Sequence, residues 1–223
     1  MWQQITLWQY QQIIPIMTKP DKDWTEIDVD YKLISILTGM TQYQIDSLPL
    51  EELKKERAKL KFLKEDITGK PVKYIQVNGR RYRVIYNVKD MPFARYIESK
   101  VFGKDVVGNL HKISASMVMP QKRNWLGRWV DDNYDASKHE QYSLDMQEAK
   151  FVDVYHTLVF FYQVYRNWIE VSKGYLVQEM TNKGLTKEVA DQVVQTLCET
   201  LDGNIAPNLL PTTKISQLIK ATS

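Results

Sequence analysis

The dipeptide Asn78-Gly79 lies between two runs that are rich in β-forming residues, 72–77 and 80–86. Asn-Gly is the preferred pair for a two-residue hairpin because a type I′ turn needs a positive φ at both central residues. The turn also sets the register and predicts that Ile75 lies opposite Tyr82. A lone hairpin is marginally stable in water. We therefore expect it to pack on helices, to find a third strand, or to pair with a neighbouring subunit.

Apolar residues at helical spacing occupy most of the remaining chain. They predict helices over residues 5–14, 27–38, 41–45, 48–64, 92–103, 106–117 and 186–202, a long helix from about residue 143, and a short amphipathic turn at 215–219. Residues 121–137 have little periodicity and are predicted to form a loop. The predicted fold class is therefore mainly α with a small β-hairpin (α+β), a helical bundle with one Asn-Gly hairpin.

Helix-ending and helix-capping residues predict where these helices begin and end. Pro15 predicts the end of the first helix, Gly39 a left-handed cap after the second, and Ser47 the cap of the helix that precedes the hairpin. Gly174 is expected to interrupt the long helix. The part from Phe151 to Val171 is apolar on nearly every face, which predicts burial inside the fold or between subunits.

The chain is expected to have three parts. Residues 1–22 form an aromatic N-terminal segment, residues 23–173 form the main helical domain with the hairpin at 72–86, and residues 174–223 form a C-terminal helical extension.

Composition and charge narrow the class of protein. Hydrophobic residues make up 43% of the chain, which argues against disorder, and the single cysteine, Cys198, excludes a disulfide scaffold. A net charge of +3 is too small to make nucleic acid the expected main partner. The N-terminus lacks the basic region of a signal peptide, and the longest apolar stretch, 151–165, is shorter than a bilayer span of roughly 20 residues. We expect neither secretion nor a membrane partner.

The residues that could carry chemistry are few and scattered. Asp153 and His156 share a helix face, but the expected arrangement is a polar pair inside an apolar helix, and Cys198 is expected to be a packed thiol. The histidines and the cysteine lie at no recognised metal-ligand spacing, and a glycine-rich phosphate loop is lacking. We therefore expect a protein that is not an enzyme and that has no cofactor and no metal.

The excess of tyrosine and tryptophan over phenylalanine indicates contact surfaces. The chain has 13 Tyr and 6 Trp against 6 Phe, and Tyr and Trp are favoured at protein interfaces. The aromatic residues without a clear core face are the candidate partner-binding residues; they are Trp2, Trp8, Tyr10, Trp125 and Trp129. The alternative is that the N-terminal segment and the segment around Trp125 and Trp129 fold back onto the protein's own helices.

Basic residues interleaved with aromatic ones suggest a second kind of contact. The candidate nucleic-acid contacts are Arg80, Arg81, Arg83, Lys122, Arg123 and Arg128. Such groups can hold phosphates while neighbouring rings stack on bases. The alternative is a solvated hairpin edge that is protected by its charge, with Arg83 stacked on Tyr74.

Two stretches resemble a motif of bacteriophage tail-assembly proteins. In the run from Tyr31 to Thr41 a helix ends in Leu-Thr-Gly, and in the run from Ile45 to Leu50 a short helix leads through Leu-Pro into an amphipathic helix. The hairpin, a segment like Met91 to Glu98, and Asn109 to Ile113 closed by Pro120 follow in the same order. The resemblance covers roughly residues 24–170, and its general character is similar to that of proteins of crAss-like phages.

The resemblance implies a protein of phage morphogenesis that works by protein–protein contacts. The implied partners are other phage structural proteins, such as tail, portal or adaptor proteins, or further copies of the chain in an oligomer or ring. The implied location is the virion or the host cytoplasm during assembly. Chaperone members of the family hold the tape-measure protein, but the extension after Gly174 and the Trp-rich N-terminus depart from them. These additions suit a protein that stays in the tail or the head–tail region of the particle. A chaperone absent from the mature particle and a virion protein that contacts nucleic acid are the alternatives.

Overall fold

The computed structural model describes residues 1–87 and 105–202, with side chains except at 162–172 and 195–202. The predicted helix over 92–103 and the predicted turn at 215–219 lie outside the described residues. The structure is mainly helical with a small four-stranded antiparallel sheet, which confirms the predicted α+β class.

The described chain begins with four helices, continues with two strand pairs separated by one helix, and ends with three helices. The helices are α1 (Leu7–Thr18), α2 (Glu26–Thr38), α3 (Gln42–Asp46), α4 (Leu50–Lys59), α5 (Val106–Ser116), α6 (His139–Glu148), α7 (Phe151–Asn182) and α8 (Lys187–Asp202). The strands are β1 (Tyr74–Val77), β2 (Arg80–Val84), β3 (Val118–Arg123) and β4 (Trp129–Asp131). Short 3-10 helices cover Trp2–Gln4, Leu60–Lys64 and Ala136–Lys138. No helix in these ranges combines the length and apolar character that a bilayer crossing needs.

Local capping chemistry produces several of the predicted helix ends. Thr25 and Thr41 each form a capping box at the start of α2 and α3, in which the threonine hydroxyl accepts from the third backbone N–H of the helix. Gly39 ends α2 with a φ of 75°, the left-handed conformation that glycine adopts without strain. The left-handed cap predicted at Gly39 is confirmed.

Three predicted helix ends are wrong. Pro15 does not end α1, which continues to Thr18 with the proline inside it. Ser47 does not cap α4, because its hydroxyl donates to the carbonyl of Tyr43 and Pro49 takes the N-cap position. Gly174 does not interrupt α7, which continues to Asn182.

The long helix instead breaks earlier, between α6 and α7. Ala149 is extended, and its carbonyl accepts from the Leu7 N–H at 3.0 Å, while the Phe151 N–H donates to Ile5 at 2.9 Å. The N-terminal chain thus satisfies the backbone groups that the break exposes. A single bridge pairs Thr6 with Lys150 at the same point.

The Asn-Gly hairpin has the predicted register. Asn78 and Gly79 have φ values of 50° and 71°, and Ile75 lies opposite Tyr82. Of the alternatives for the hairpin, the structure shows both a third strand and packing on helices. β3 pairs with β2, and β4 pairs with β3, in the order β1-β2-β3-β4.

The loop predicted over residues 121–137 is partly wrong, because β3 and β4 form a second hairpin there. No strand was predicted here because Pro120 is unfavourable within a strand, since proline donates no ladder hydrogen bond. In the structure Pro120 lies within β3 opposite Tyr82, and its carbonyl accepts from the Asp132 N–H at 2.8 Å.

The core lies between one face of the sheet and the helices. Ile75, Tyr82 and Val118 are buried on that inner face, and they belong to the same apolar cluster as side chains of α1, α5 and α7. The N-terminal segment contributes Trp2 and Tyr10 to this cluster.

Candidate functional site

The predicted partner contact is wrong for two of the five aromatic residues, because their side chains lie in the core. The Tyr10 ring is 2% exposed and stacks on Phe151 with ring centroids 3.6 Å apart. Trp2 is buried against Phe62 and donates its indole N–H to the carbonyl of Glu65 at 3.1 Å. Tyr10 is positioned by the helix phase of α1, and its partner Phe151 comes from the start of α7. Sequence spacing alone could not show this contact.

The turn between β3 and β4 presents an exposed apolar tip. Trp125 is 91% exposed and Leu126 is 55% exposed. Asn124 fixes the turn, because its side-chain oxygen accepts from the N–H groups of Leu126 and Arg128 and its carbonyl accepts from Gly127. Gly127 has a φ of 73°, which favours glycine at this position. The two apolar side chains therefore project from a hydrogen-bonded turn.

Trp8 is the other exposed tryptophan among the candidates, with 46% of its surface open. It borders a cavity of about 650 Å³ between α1 and α5 that also contains His111. Gln11 joins the two helices, since its side-chain amide donates to the carbonyl of Val107 at 2.7 Å. Burial lowers the pKa of His111.

Arg81 and Trp129 meet on the outer face of the sheet, the face opposite the core. The guanidinium carbon of Arg81 lies 3.8 Å from the ring centroid of Tyr74 on β1 and 5.5 Å from that of Trp129 on β4. Arg123 also contacts Trp129, at 4.8 Å. The alternative predicted from the sequence placed Arg83 on Tyr74, but it is Arg81 that stacks there. A residue and its second neighbour share a strand face, so the sequence could not separate the two.

Three of the six predicted nucleic-acid contacts are paired with aspartates. Arg80 pairs with Asp145 at 2.8 Å. Arg83 pairs with Asp131 at 2.7 Å, and Lys122 pairs with Asp132 at 2.6 Å. The hydrogen bond from Arg83 lowers the pKa of Asp131, and that from Lys122 lowers the pKa of Asp132. These pairs reduce the positive charge that the face offers to phosphates.

A cavity of about 330 Å³ opens beside the hairpin turn. Its lining includes three arginines, Arg80, Arg81 and Arg123, together with Trp129, and contains no acidic side chain. The strand pairing places Arg81 directly opposite Gln121. In the described part of the chain, the Arg81 Nε and the Gln121 Oε1 are both buried and without a hydrogen-bond partner.

Asp145, the buried acid that holds the hairpin, is not among the residues singled out from the sequence. The side chain is 1% exposed and accepts from Asn78 at 3.1 Å, from Arg80, and from the hydroxyl of Tyr82. Burial, and then the bond to Asp145, raise the pKa of the Tyr82 phenol. A carboxylate between Leu144 and Met146 on a helix was the signal that could have revealed it.

The residues considered for catalysis are Asp153, His156 and Cys198, and the structure describes the side chains of the first two. His156 is buried in α7, its Nδ1 has no partner in the described ranges, and burial lowers its pKa. Burial also raises the pKa of Asp153. The side chain of Cys198 lies outside the described side chains. Within the described residues, no group of His, Cys, Asp and Glu side chains could hold a metal ion.

Comparisons of the chain with models of protein families, with curated proteins and with solved structures found no match.

Proposed function

We propose that this chain is a non-enzymatic bacteriophage structural or assembly protein that acts through protein–protein contacts in the tail or the head–tail region. The phage setting rests on the sequence resemblance. The contact function rests on one observation, the exposed apolar tip formed by Trp125 and Leu126.

A tip of this kind suits a binding anchor. Tryptophan is enriched among the residues that dominate interface energies, because burying its large ring removes much apolar area from water. Asn124 fixes the turn with three hydrogen bonds, so that little conformational entropy is lost when a partner closes over the ring. Leu126 directly follows Trp125 and adds its own exposed apolar surface to the tip.

The Trp125→Ala variant tests this function. The chain is co-expressed with the tail, portal and adaptor proteins of the same phage, and the complex is isolated by size exclusion with light scattering. We expect W125A to weaken the complex by about thirtyfold or more, because a central tryptophan anchor contributes at least ~2 kcal/mol. Tyr43→Ala is the matched control, since Tyr43 is 81% exposed on α3. Equal complex formation by W125A and the wild type contradicts the proposal.

Mass spectrometry of purified particles separates the virion protein from the assembly chaperone. A protein that stays in the particle is found there in a fixed ratio to the tail proteins. Its absence from particles, with a complex that is still sensitive to W125A, leaves the chaperone alternative.

A further inference from the structure

We infer that the cavity between Arg81, Arg123 and Trp129 binds a side-chain carboxylate from an acidic segment of a partner protein. This inference rests on the proposed contact function and names the chemistry of the partner.

The first argument is that Arg81 lacks a carboxylate partner. Its neighbour on the same strand face, Arg83, pairs with Asp131, whereas no ion pair joins Arg81 to any acid among the described residues. Its Nε is buried and has no acceptor. A buried donor without an acceptor is costly, and no acid among the described residues offsets that cost by neutralising the guanidinium.

The second argument is the orientation of the guanidinium. The rings of Tyr74 and Trp129 contact Arg81 through cation–π interactions. Stacking occupies the faces of the guanidinium and leaves the N–H groups of its two terminal nitrogens for a planar, bidentate acceptor. Carboxylates and phosphates are the anions with that geometry.

The surroundings of Trp129 favour a protein carboxylate over a single-stranded nucleic acid as the ligand. Binding to single strands needs aromatic faces on which bases can stack and a continuous cationic track. Here Arg81 and Arg123 both contact the ring of Trp129. The track is also broken, because Asp131 and Asp132 lie on β4 or directly after it and pair with neighbouring cations. A localised site of two arginines suits one acidic side chain.

The test is a titration with labelled peptides, followed by fluorescence anisotropy. The probes are a short glutamate-rich peptide, the same peptide with glutamine in place of glutamate, and a single-stranded oligothymidine. We expect the wild type to bind the glutamate peptide at least about tenfold more tightly than the glutamine peptide, since only the glutamate carboxylate forms charge-assisted hydrogen bonds with the guanidinium groups.

Arg81→Gln and Arg128→Gln form the matched pair of variants. Both remove one positive charge, but the exposed Arg128 does not line the cavity. We expect R81Q to lose the glutamate peptide by about tenfold or more and R128Q to keep it within about twofold. Equal weakening by both variants indicates general charge attraction and overturns the inference. Tighter binding of oligothymidine than of the glutamate peptide overturns the choice of partner.

A second measurement holds even if R81Q fails to fold. In the wild-type protein, the NMR signal of the Arg81 Nε–H should shift as the glutamate peptide is added, while that of Arg80 stays with Asp145. A peptide that binds without moving the Arg81 signal binds elsewhere and overturns the inference. If the carboxylate inference fails, the complex that depends on Trp125 is still expected. If W125A leaves the complex unchanged, the proposed contact function fails, and the peptide titration still reports on the Arg81 cavity.

Discussion

At the scale of single residues, the carboxylate of Asp145 joins a helix to the sheet. It lies on α6, and its partners Asn78, Arg80 and Tyr82 come from the β1–β2 turn and from β2. The three donors reach it from the far end of the hairpin, so one acid fixes the position of the whole turn. Burial makes this network sensitive, because the Tyr82 hydroxyl has no route to water if its acceptor is lost.

Replacing Asp145 with asparagine should lower the free energy of unfolding by about 3 kcal/mol. The amide carries no charge for Arg80 and turns a donor toward groups that already donate. Urea denaturation measures the loss. Asp131→Asn is the control, because the half-exposed pair with Arg83 should contribute less than about 1 kcal/mol. Equal losses in D145N and D131N would contradict a larger contribution to stability from the buried Asp145 network than from the exposed pair.

The candidate site also depends on residue-level facts that the sequence only half reveals. The sequence predicted that Arg81 and Trp129 were functional candidates, but it treated them as members of separate surfaces. They meet only because β4 pairs with β3 and β3 pairs with β2. Such long-range pairing depends on tertiary packing, which local periodicity does not encode.

At the scale of elements, the N-terminal helix is part of the core and is not an appendage. α1 places Tyr10 against Phe151 at the start of α7, and the break between α6 and α7 pairs with the chain just before α1. Both contacts join the N-terminal segment to the start of α7, one through stacked rings and one through backbone hydrogen bonds.

Substitutions on α1 should separate its buried face from its exposed one. Tyr10→Ala should lower the free energy of unfolding by about 3–5 kcal/mol, because it leaves a cavity against Phe151. Trp8→Ala removes a larger ring from the same helix, yet it should cost less than about 1 kcal/mol, since Trp8 is 46% exposed. Thermal or urea unfolding measures both. A Trp8→Ala loss as large as that of Tyr10→Ala would contradict this assignment of faces.

Sequence reasoning succeeded for elements whose signal is local. Asn78-Gly79 sets its own turn, and Gly39 ends α2 through its own left-handed backbone conformation. It failed where a distant partner decides the structure. Pro120 is an unfavourable strand residue, but the neighbouring β2 supplies the pairing that makes its segment a strand.

At the scale of the whole molecule, buried titratable groups limit the pH range of stability. Burial lowers the pKa values of His156 and His111 below the ordinary 6.5, so both prefer to be neutral in the fold. The stability that they contribute is complete above pH 6.5 and is lost as the pH falls through their folded pKa values. Burial raises the pKa of Tyr86 to about 12, so its contribution is complete below pH 10 and is lost between 10 and 12.

The free energy of unfolding should therefore fall on both sides of neutral pH. Urea denaturation at a series of pH values measures the profile. Asp153, whose raised pKa works in the opposite direction, partly offsets the acid side. The H156Q variant isolates the histidine: it should be less stable at pH 7 but should lose less on acidification. An unchanged acid slope in H156Q contradicts the role of His156.

The order of the strands also has a consequence for how the chain is made. β1 and β2 are synthesised before β3, and Asp145 is synthesised later still. A hairpin closes in about 1–10 μs, whereas the ribosome adds only about 5–20 residues per second. For seconds, then, the first hairpin has an unpaired edge at β2 on the side where β3 will pair. Arginine at three of the five positions of β2 discourages neighbouring nascent chains from adding a strand there. Arg81, which faces the proposed ligand in the folded protein, is one of these three charges, so it should also help to keep the unfinished chain from aggregating on the ribosome.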